Sequence, residues 1–283
     1  MANSNNFKNL KAIVFDLDGT LLNDDGFIGE ETEILIKALH NYDVKFSFAT
    51  GRLHSTLTEF ARQLNIDTPL ISLDGCLIKS FPEGKIIYET FVKEKHIKKA
   101  LEYAEKYGLH IALCHGEAIY FTEHNSVIPQ LMEKFGAVYE EVNSYDSYLR
   151  NTLEVVLVSD DNTSMKYVKQ KMEFPYSIGL ETSYFKSQRH DKVYYLEIRR
   201  KGASKGRGLM RLLKHLKLKP QQAAVLGDWY NDVSLFKTPV FKVAVGNAIP
   251  EIKRLSNIIT KRNNNQDGAA EFLEMVLKAK REN

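Results

Sequence analysis

The stretch 11–22, KAIVFDLDGTLL, constrains the fold of this chain more than any other. A short apolar run followed by a turn signal reads as a buried strand over residues 12–16, and it ends on two aspartates one residue apart. Side chains alternate across a strand, so Asp16 and Asp18 are expected to leave its end on the same side with Leu17 turned away. Two carboxylates sharing one small volume repel unless a proton or a cation lies between them. Hard oxygen ligands at this density suit Mg²⁺, and a carboxylate can also attack phosphorus. A calcium loop starts with a similar run, but the sixth and twelfth positions counted from Asp16 are Leu21 and Phe27 instead of Gly and Glu. A plain turn is the remaining alternative, weakened by IVF before the aspartates and LL after them.

Strand and helix then alternate at the pace of a parallel sheet. Residues 44–50 and 70–73 are predicted strands, and a helix over 31–40 would put Ile34, Leu35, Ala38 and Leu39 on one face. The texture changes after Phe81: PEGK reads as a turn, IIYETF as a strand, and 92–107 as an amphipathic helix stopped by Gly108. The strands LHIALCH and AIYFTE follow, then helices over 127–135 and 164–174 and strands over 153–159, 176–181 and 193–198. From Ala203 the first pattern returns, with a helix over 206–218 that turns Leu209, Leu212, Leu213 and Leu216 inward. Three strands over 223–226, 242–245 and 258–260 complete it. There is no internal repeat, and 283 residues suffice for a large core divided in two.

Three further stretches bear on chemistry: FSFATGR (46–52), KGASKG (201–206) and VLGDWYND (225–232). Together with DLDGT, in this order and each beside a predicted strand or helix, they resemble the four motifs of the haloacid dehalogenase superfamily. GNAIPEIK (246–253) and DGAAEFL (267–273) resemble its Cof-type subfamily. The resemblance covers both ends of the chain. It implies an α/β fold: a doubly wound, Rossmann-like parallel-sheet core over 1–83 and 191–283, and an inserted α/β cap over 84–190 that sets substrate specificity.

The same resemblance implies a Mg²⁺-dependent phosphatase acting on a small phosphorylated metabolite, with sugar phosphates the leading class, through an aspartyl-phosphate. By motif position Asp16 would be nucleophile and metal ligand. Asp18 would be the general acid and base, its backbone carbonyl also reaching the metal, and Asp228 would complete the protein ligands. Leu17, Thr50, Gly51, Lys205 and Asn231 would bind phosphate, and Asp232 would support the metal site or cap the following helix. Asp74 and Asn247 are candidate substrate contacts, although Asp74 stands where the subfamily carries Asn, and Trp229 is bulkier than the residue expected after Asp228. A phosphomutase of the same superfamily is the nearest rival. A non-catalytic binding protein that retains the fold is the alternative from another class.

Composition narrows the partners. Hydrophobic residues at 43% and charged residues at 27% are the balance of an ordinary globular protein. Cys76 and Cys114 lie far apart and form no CxxC pair, so neither a zinc site nor a disulfide framework is implied. The opening residues lack the apolar core of a signal peptide, and no apolar run approaches the roughly 18 residues that span a bilayer. A cytoplasmic protein with no membrane contact is expected. A net charge of +3 does not argue for a polyanion. Residues 199–207, RRKGASKGR, hold five basic residues and no acidic one, but without interleaved aromatics a phosphate-facing lysine explains them better than nucleic acid. No obligate protein partner is implied. HExxH spacing is absent, and His110, His115, His124 and His190 are expected in surface or packing roles.

Overall fold

The structure, a computed structural model, describes residues 7–132, 137–187 and 190–282. The chain runs first through β1 (Ala12–Phe15), α1 (Glu30–His40), β2 (Lys45–Phe48), α2 (Thr58–Gln63), β3 (Leu70–Ser72), β4 (Leu77–Lys79) and β5 (Ile86–Glu89). Next come α3 (Glu94–Tyr107), β6 (His110–Cys114), β7 (Ala118–Phe121), α4 (Ile128–Leu131), β8 (Val138–Glu141), β9 (Glu154–Ser159), α5 (Asn162–Lys171), β10 (Leu180–Lys186) and β11 (Tyr194–Arg200). The last part is α6 (Lys205–His215), β12 (Ala223–Gly227), α7 (Val233–Phe236), β13 (Phe241–Ala244), α8 (Pro250–Leu255), β14 (Ile258–Ile259) and α9 (Gly268–Arg281). These elements form two compact units. One holds the chain up to Gly51, Leu57–Ile87 and Ser204 onward; the other holds Arg52–Thr56 and Tyr88–Ala203.

The first unit is built on a parallel sheet of order β14-β13-β12-β1-β2. Every residue of β1 and β12 is buried, as central strands covered on both faces require. Ile13, Phe15, Phe46, Phe48 and Leu226 turn into one cluster with Leu35, Ile36 and Leu39 of α1 and Phe272, Leu273 and Val276 of α9. The α/β class expected from the alternation holds. The inward stripe of α1 is Thr32, Leu35, Ile36 and Leu39, a helical i, i+3, i+4, i+7 set, whereas Ile34, expected among them, is 60% exposed. Likewise Leu209, Leu212 and Leu213 of α6 are buried, but Leu216 lies past the helix end and is only half-buried.

The second unit carries a six-stranded sheet of order β10-β11-β9-β6-β7-β8, antiparallel except where β7 meets β8. Ile111, Leu113, Val155, Leu157, Leu196 and Ile198 face Ile97, Ala100 and Ala104 of α3 and Met165 and Val168 of α5. Helix α3 ends at Gly108 in the left-handed conformation, φ 62°, as its sequence predicts. On the alternate side of the sheet Arg199 is buried between Glu154, at 2.7 Å, and Glu197, at 2.8 Å.

Three expectations are corrected here. The inserted block does not end at residue 190. Strand β11 pairs along its length with β10 (Leu180 opposite Arg200) and with β9 (Arg199 opposite Glu154), so the second unit runs to Ala203, and its start falls after Ile87 instead of at residue 84. The strand expected over 176–181 begins only at Leu180, because Ser177 N–H bonds back to the Glu173 carbonyl in a turn and Gly179 takes φ 89°. The helix expected over 127–135 is the single turn α4, and residues 133–136 lie outside the described residues. Among the described residues no helix is long and apolar enough to cross a membrane.

Candidate active site

Asp16 and Asp228 directly follow β1 and β12, and Thr50 comes two residues after β2; the three strands are neighbours in the parallel sheet. All three leave at carboxyl ends of strands, where open α/β sheets place their ligands. Lys205 opens α6 behind the N-cap Ser204, whose hydroxyl accepts from Arg207 N–H at 3.3 Å. Its long side chain is fully buried, which an ammonium tolerates only when paired.

The pairing is with two carboxylates. Lys205 Nζ donates to Asp16 Oδ1 and to Asp232 Oδ1, each at 2.7 Å. The other oxygen of Asp232 accepts from the backbone N–H of Asp228 at 2.9 Å and of Trp229 at 3.3 Å. Asp232 therefore fixes the loop that carries Asp228; it makes no side-chain cap bond to α7, so the helix-capping alternative is not what the structure has. Gly227 makes this possible, since a Cβ there would lie 2.6 Å from Asp232 Oδ2. Oxygens of Asp16, Asp228 and Asp232 all lie within 4.8 Å of one another. Thr20, given no role by its sequence, is buried and donates its hydroxyl to Asp228 Oδ1 at 2.8 Å.

Three carboxylates against one ammonium leave the cluster electron-rich. Burial, then Asp232 and Asp228, push the Asp16 carboxyl well above the usual range despite the opposing Lys205. Burial, then Asp232, lifts Asp228 to about 7, with the Thr20 hydrogen bond working the other way. Burial alone would lower Lys205, but the charges of Asp16, Asp232 and Asp74 outweigh it and hold the ammonium charged. Burial and mutual repulsion thus favour the protonated over the ionised carboxyls, a balance that a positive charge beside them opposes.

Asp18 is not part of the cluster. Strand β1 stops at Phe15, and the Leu17 carbonyl accepts from the N–H groups of Thr20, Leu21 and Leu22, so the chain is coiling where alternation had been extended. Leu17 goes into the core, Asp16 is buried, and Asp18 is exposed, its charge still felt at Asp228. The expected convergence of carboxyls 16, 18 and 228 is thus replaced by 16, 228 and 232.

The haloacid dehalogenase-like hydrolase family model matches residues 13–273. The chain belongs to that family. Among its relatives, the Bacillus subtilis phosphatase YwpJ is 25% identical over 95% of this chain and 100% of its own. The B. subtilis 5-amino-6-(5-phospho-D-ribitylamino)uracil phosphatase YitU is 26% identical over 93% of this chain and 96% of its own. A haloacid dehalogenase-like hydrolase from Bacteroides thetaiotaomicron has the same fold, with a TM-score of 0.81 and 24% identity over 94% of this chain and 99% of that one. With the family go the expected frame and the expected enzyme class, a phosphatase.

The other residues singled out in this hydrolase are placed as follows. Thr50 N–H bonds to the Ile71 carbonyl at 3.0 Å, and the Thr50 carbonyl accepts from Asp74 N–H at 2.9 Å. Asp74 is buried at φ 50°, its carboxylate beside Gly51 and within electrostatic reach of Lys205, so the charge that departs from the subfamily pattern has a base to answer it. Asn231 is exposed on the turn before Asp232. Asn247 is committed at both polar ends: Nδ2 donates to the Gly19 carbonyl at 2.7 Å, and Oδ1 accepts from Asn264 N–H at 3.0 Å. Of the five basic residues in 199–207, Arg199 and Lys205 are buried on carboxylates, which removes them from any surface patch. For a divalent cation, the donor set fits: Asp16 and Asp228 are buried hard-oxygen donors with raised pKa values, and both oxygens of Asp232 are already occupied by Lys205 and backbone N–H groups.

Proposed function

We propose that this phosphatase is Mg²⁺-dependent, works through a phosphorylated Asp16, and hydrolyses small phosphorylated metabolites, sugar phosphates first among them. The observation that carries the reading is the buried Asp16–Lys205–Asp232–Asp228 cluster at adjacent strand ends. Asp16 and Asp228 would hold the metal, and bound Mg²⁺ would supply the charge neutralisation that lets an anionic carboxylate meet a phosphate dianion. Lys205 orients Asp16 and opposes the burial and like charges that disfavour its ionised form, since its hydrogen bond is made to the charged form. The Thr50 hydroxyl and the Leu17, Gly51 and Asn231 groups are assigned to the phosphate oxygens.

In the first step an Asp16 carboxylate oxygen bonds to phosphorus while the ester P–O bond breaks; the electron pair leaves on the substrate oxygen, which takes the proton of Asp18. In the second step water bonds to phosphorus, gives its proton to Asp18, and the acyl P–O bond breaks to return Asp16 and release phosphate. The proton that Asp18 gives up in the first step is thus regained from water in the second, and Asp18 ends the cycle as it began it. Choice of leaving group is assigned to the inserted second unit, because the first unit already contains every group the two steps need. YitU, named for a ribityl phosphate, favours a polyhydroxylated leaving group.

The test is a panel of phosphate monoesters assayed with purified protein in EDTA and again with Mg²⁺. Mg²⁺-dependent release of inorganic phosphate, strongest on sugar phosphates, is the expected result. Phosphate returned to the substrate at a second position would indicate a mutase, and no release from any ester would remove the catalytic reading.

A further inference from the structure

We propose that Asn247 is a positioning residue for the phosphoryl-transfer centre: through the Gly19 carbonyl it fixes the loop that holds Thr20 against Asp228. This rests on the reading of the cluster as a metal-dependent phosphatase site. The loop after β1 has little regular structure beyond its own turn hydrogen bonds, and side chains from the far end of the chain hold it as well. Asn247 Nδ2 donates to the Gly19 carbonyl at 2.7 Å. Asn247 is held in turn by Asn264 N–H, and Asn264 Nδ2 reaches back to the Leu22 carbonyl at 3.2 Å and to Asp24 Oδ1 at 2.9 Å. Asn265 closes the clasp, donating to Asp24 Oδ2 at 2.8 Å and accepting from Asp24 N–H at 2.8 Å.

The Gly19–Thr20 peptide is therefore gripped at both poles, its carbonyl by Asn247 and its N–H by the Leu17 carbonyl at 3.2 Å. That peptide controls Asp228 from two sides. Thr20 supplies the 2.8 Å hydrogen bond to Asp228 Oδ1, and Gly19, at φ 73°, leaves room for the carboxylate: a Cβ on it would stand 2.5 Å from Asp228 Oδ2. Rotating the peptide plane displaces the Thr20 hydroxyl and opens a second orientation for Asp228. Groups that orient a metal-binding side chain in this way typically change metal affinity or activity by 10–100-fold when removed, and a contact one bond further out is expected near the lower end.

The test compares wild type, Asn247→Ala and Asn247→Asp. Asp retains an acceptor for Asn264 N–H but lacks the donor to Gly19. Mg²⁺ binding is measured on substrate-free protein by calorimetry and by fluorescence of Trp229, the sole tryptophan, which adjoins Asp228. Both variants are expected to bind Mg²⁺ about tenfold more weakly and to lose about tenfold in kcat at limiting metal, with KM for the ester changed less than about twofold. Wild-type Mg²⁺ affinity in both variants overturns the proposal, as does wild-type behaviour of Asn247→Asp alone or a change confined to KM, which would make Asn247 a substrate contact. If Asn247→Ala does not fold, Asn247→Asp and Asn264→Ala carry the same readouts, the latter with an expected loss of about threefold. Wild type that neither binds Mg²⁺ nor hydrolyses esters refutes the phosphatase reading itself; wild type that does both, beside unchanged variants, refutes only the role of Asn247.

Discussion

Replacing Asp228 by Asn should make the metal-free protein more stable while making it a poor enzyme. Burial and the Asp232 carboxylate raise the Asp228 pKa from an ordinary 3.8 to about 7. A carboxyl whose folded pKa lies above its unfolded pKa costs nothing at pH values below both. Its cost grows as pH rises through the window between them, because only the unfolded chain has released the proton, and it levels off above the folded value. About three pH units at roughly 1.4 kcal/mol each give a penalty of about 4 kcal/mol near pH 8, about 2 near pH 5.5 and less than about 1 near pH 4. Asn keeps an oxygen to accept from Thr20 and carries no charge, so Asp228→Asn should recover this amount. Urea unfolding in EDTA at the three pH values measures it, and Mg²⁺ should stabilise wild type but barely affect the variant. A variant less stable than wild type at pH 8 in EDTA, or a difference that does not change with pH, would refute this electrostatic account of the cluster.

Asp16→Asn should lower kcat by at least about 10³-fold with the fold intact by circular dichroism. Lys205→Met leaves Asp16 and Asp232 buried without their counter-ion and should cost about 3–5 kcal/mol in urea unfolding at pH 8. Gly227→Ala pushes a methyl into the Asp232 carboxylate and should cost about 1–3 kcal/mol and weaken Mg²⁺ binding by calorimetry. In the second unit, Arg199→Met strands Glu154 and should destabilise by about 3–5 kcal/mol, with much of the loss recovered when Glu154→Gln is added.

The sequence made the frame legible where hydrophobic pattern and element length coincide, as in AIVF and AAVLG, which are the two central strands of the parallel sheet. The motif resemblance also singled out Asp16, Lys205 and Asp228, and these side chains lie together in the buried cluster. What the sequence missed depended on the third dimension. Period-two reasoning carried Asp18 alongside Asp16, yet the strand stops at Phe15 and the chain coils. Asp232 looked like a distant support or a cap, and only the approach of Gly227 and Lys205 shows that it holds both the lysine and the Asp228 backbone. Strand 194–200 reads locally like any other; its allegiance to the second unit is set by partners 8–20 residues away in β10 and 35–45 residues away in β9. The link from Asn247 to Gly19 joins residues 228 positions apart, beyond any local signal.

The central claim is that the Asp16 carboxylate is the atom group that takes the phosphoryl group. With p-nitrophenyl phosphate the leaving group needs no proton, so in Asp18→Asn the first step should proceed and the second should stall. Rapid quench, borohydride reduction of the acyl phosphate and peptide mass spectrometry then read the modified position. The account predicts homoserine at position 16, in step with a burst of nitrophenol. A burst without modification at 16, or with modification at another residue, would contradict it.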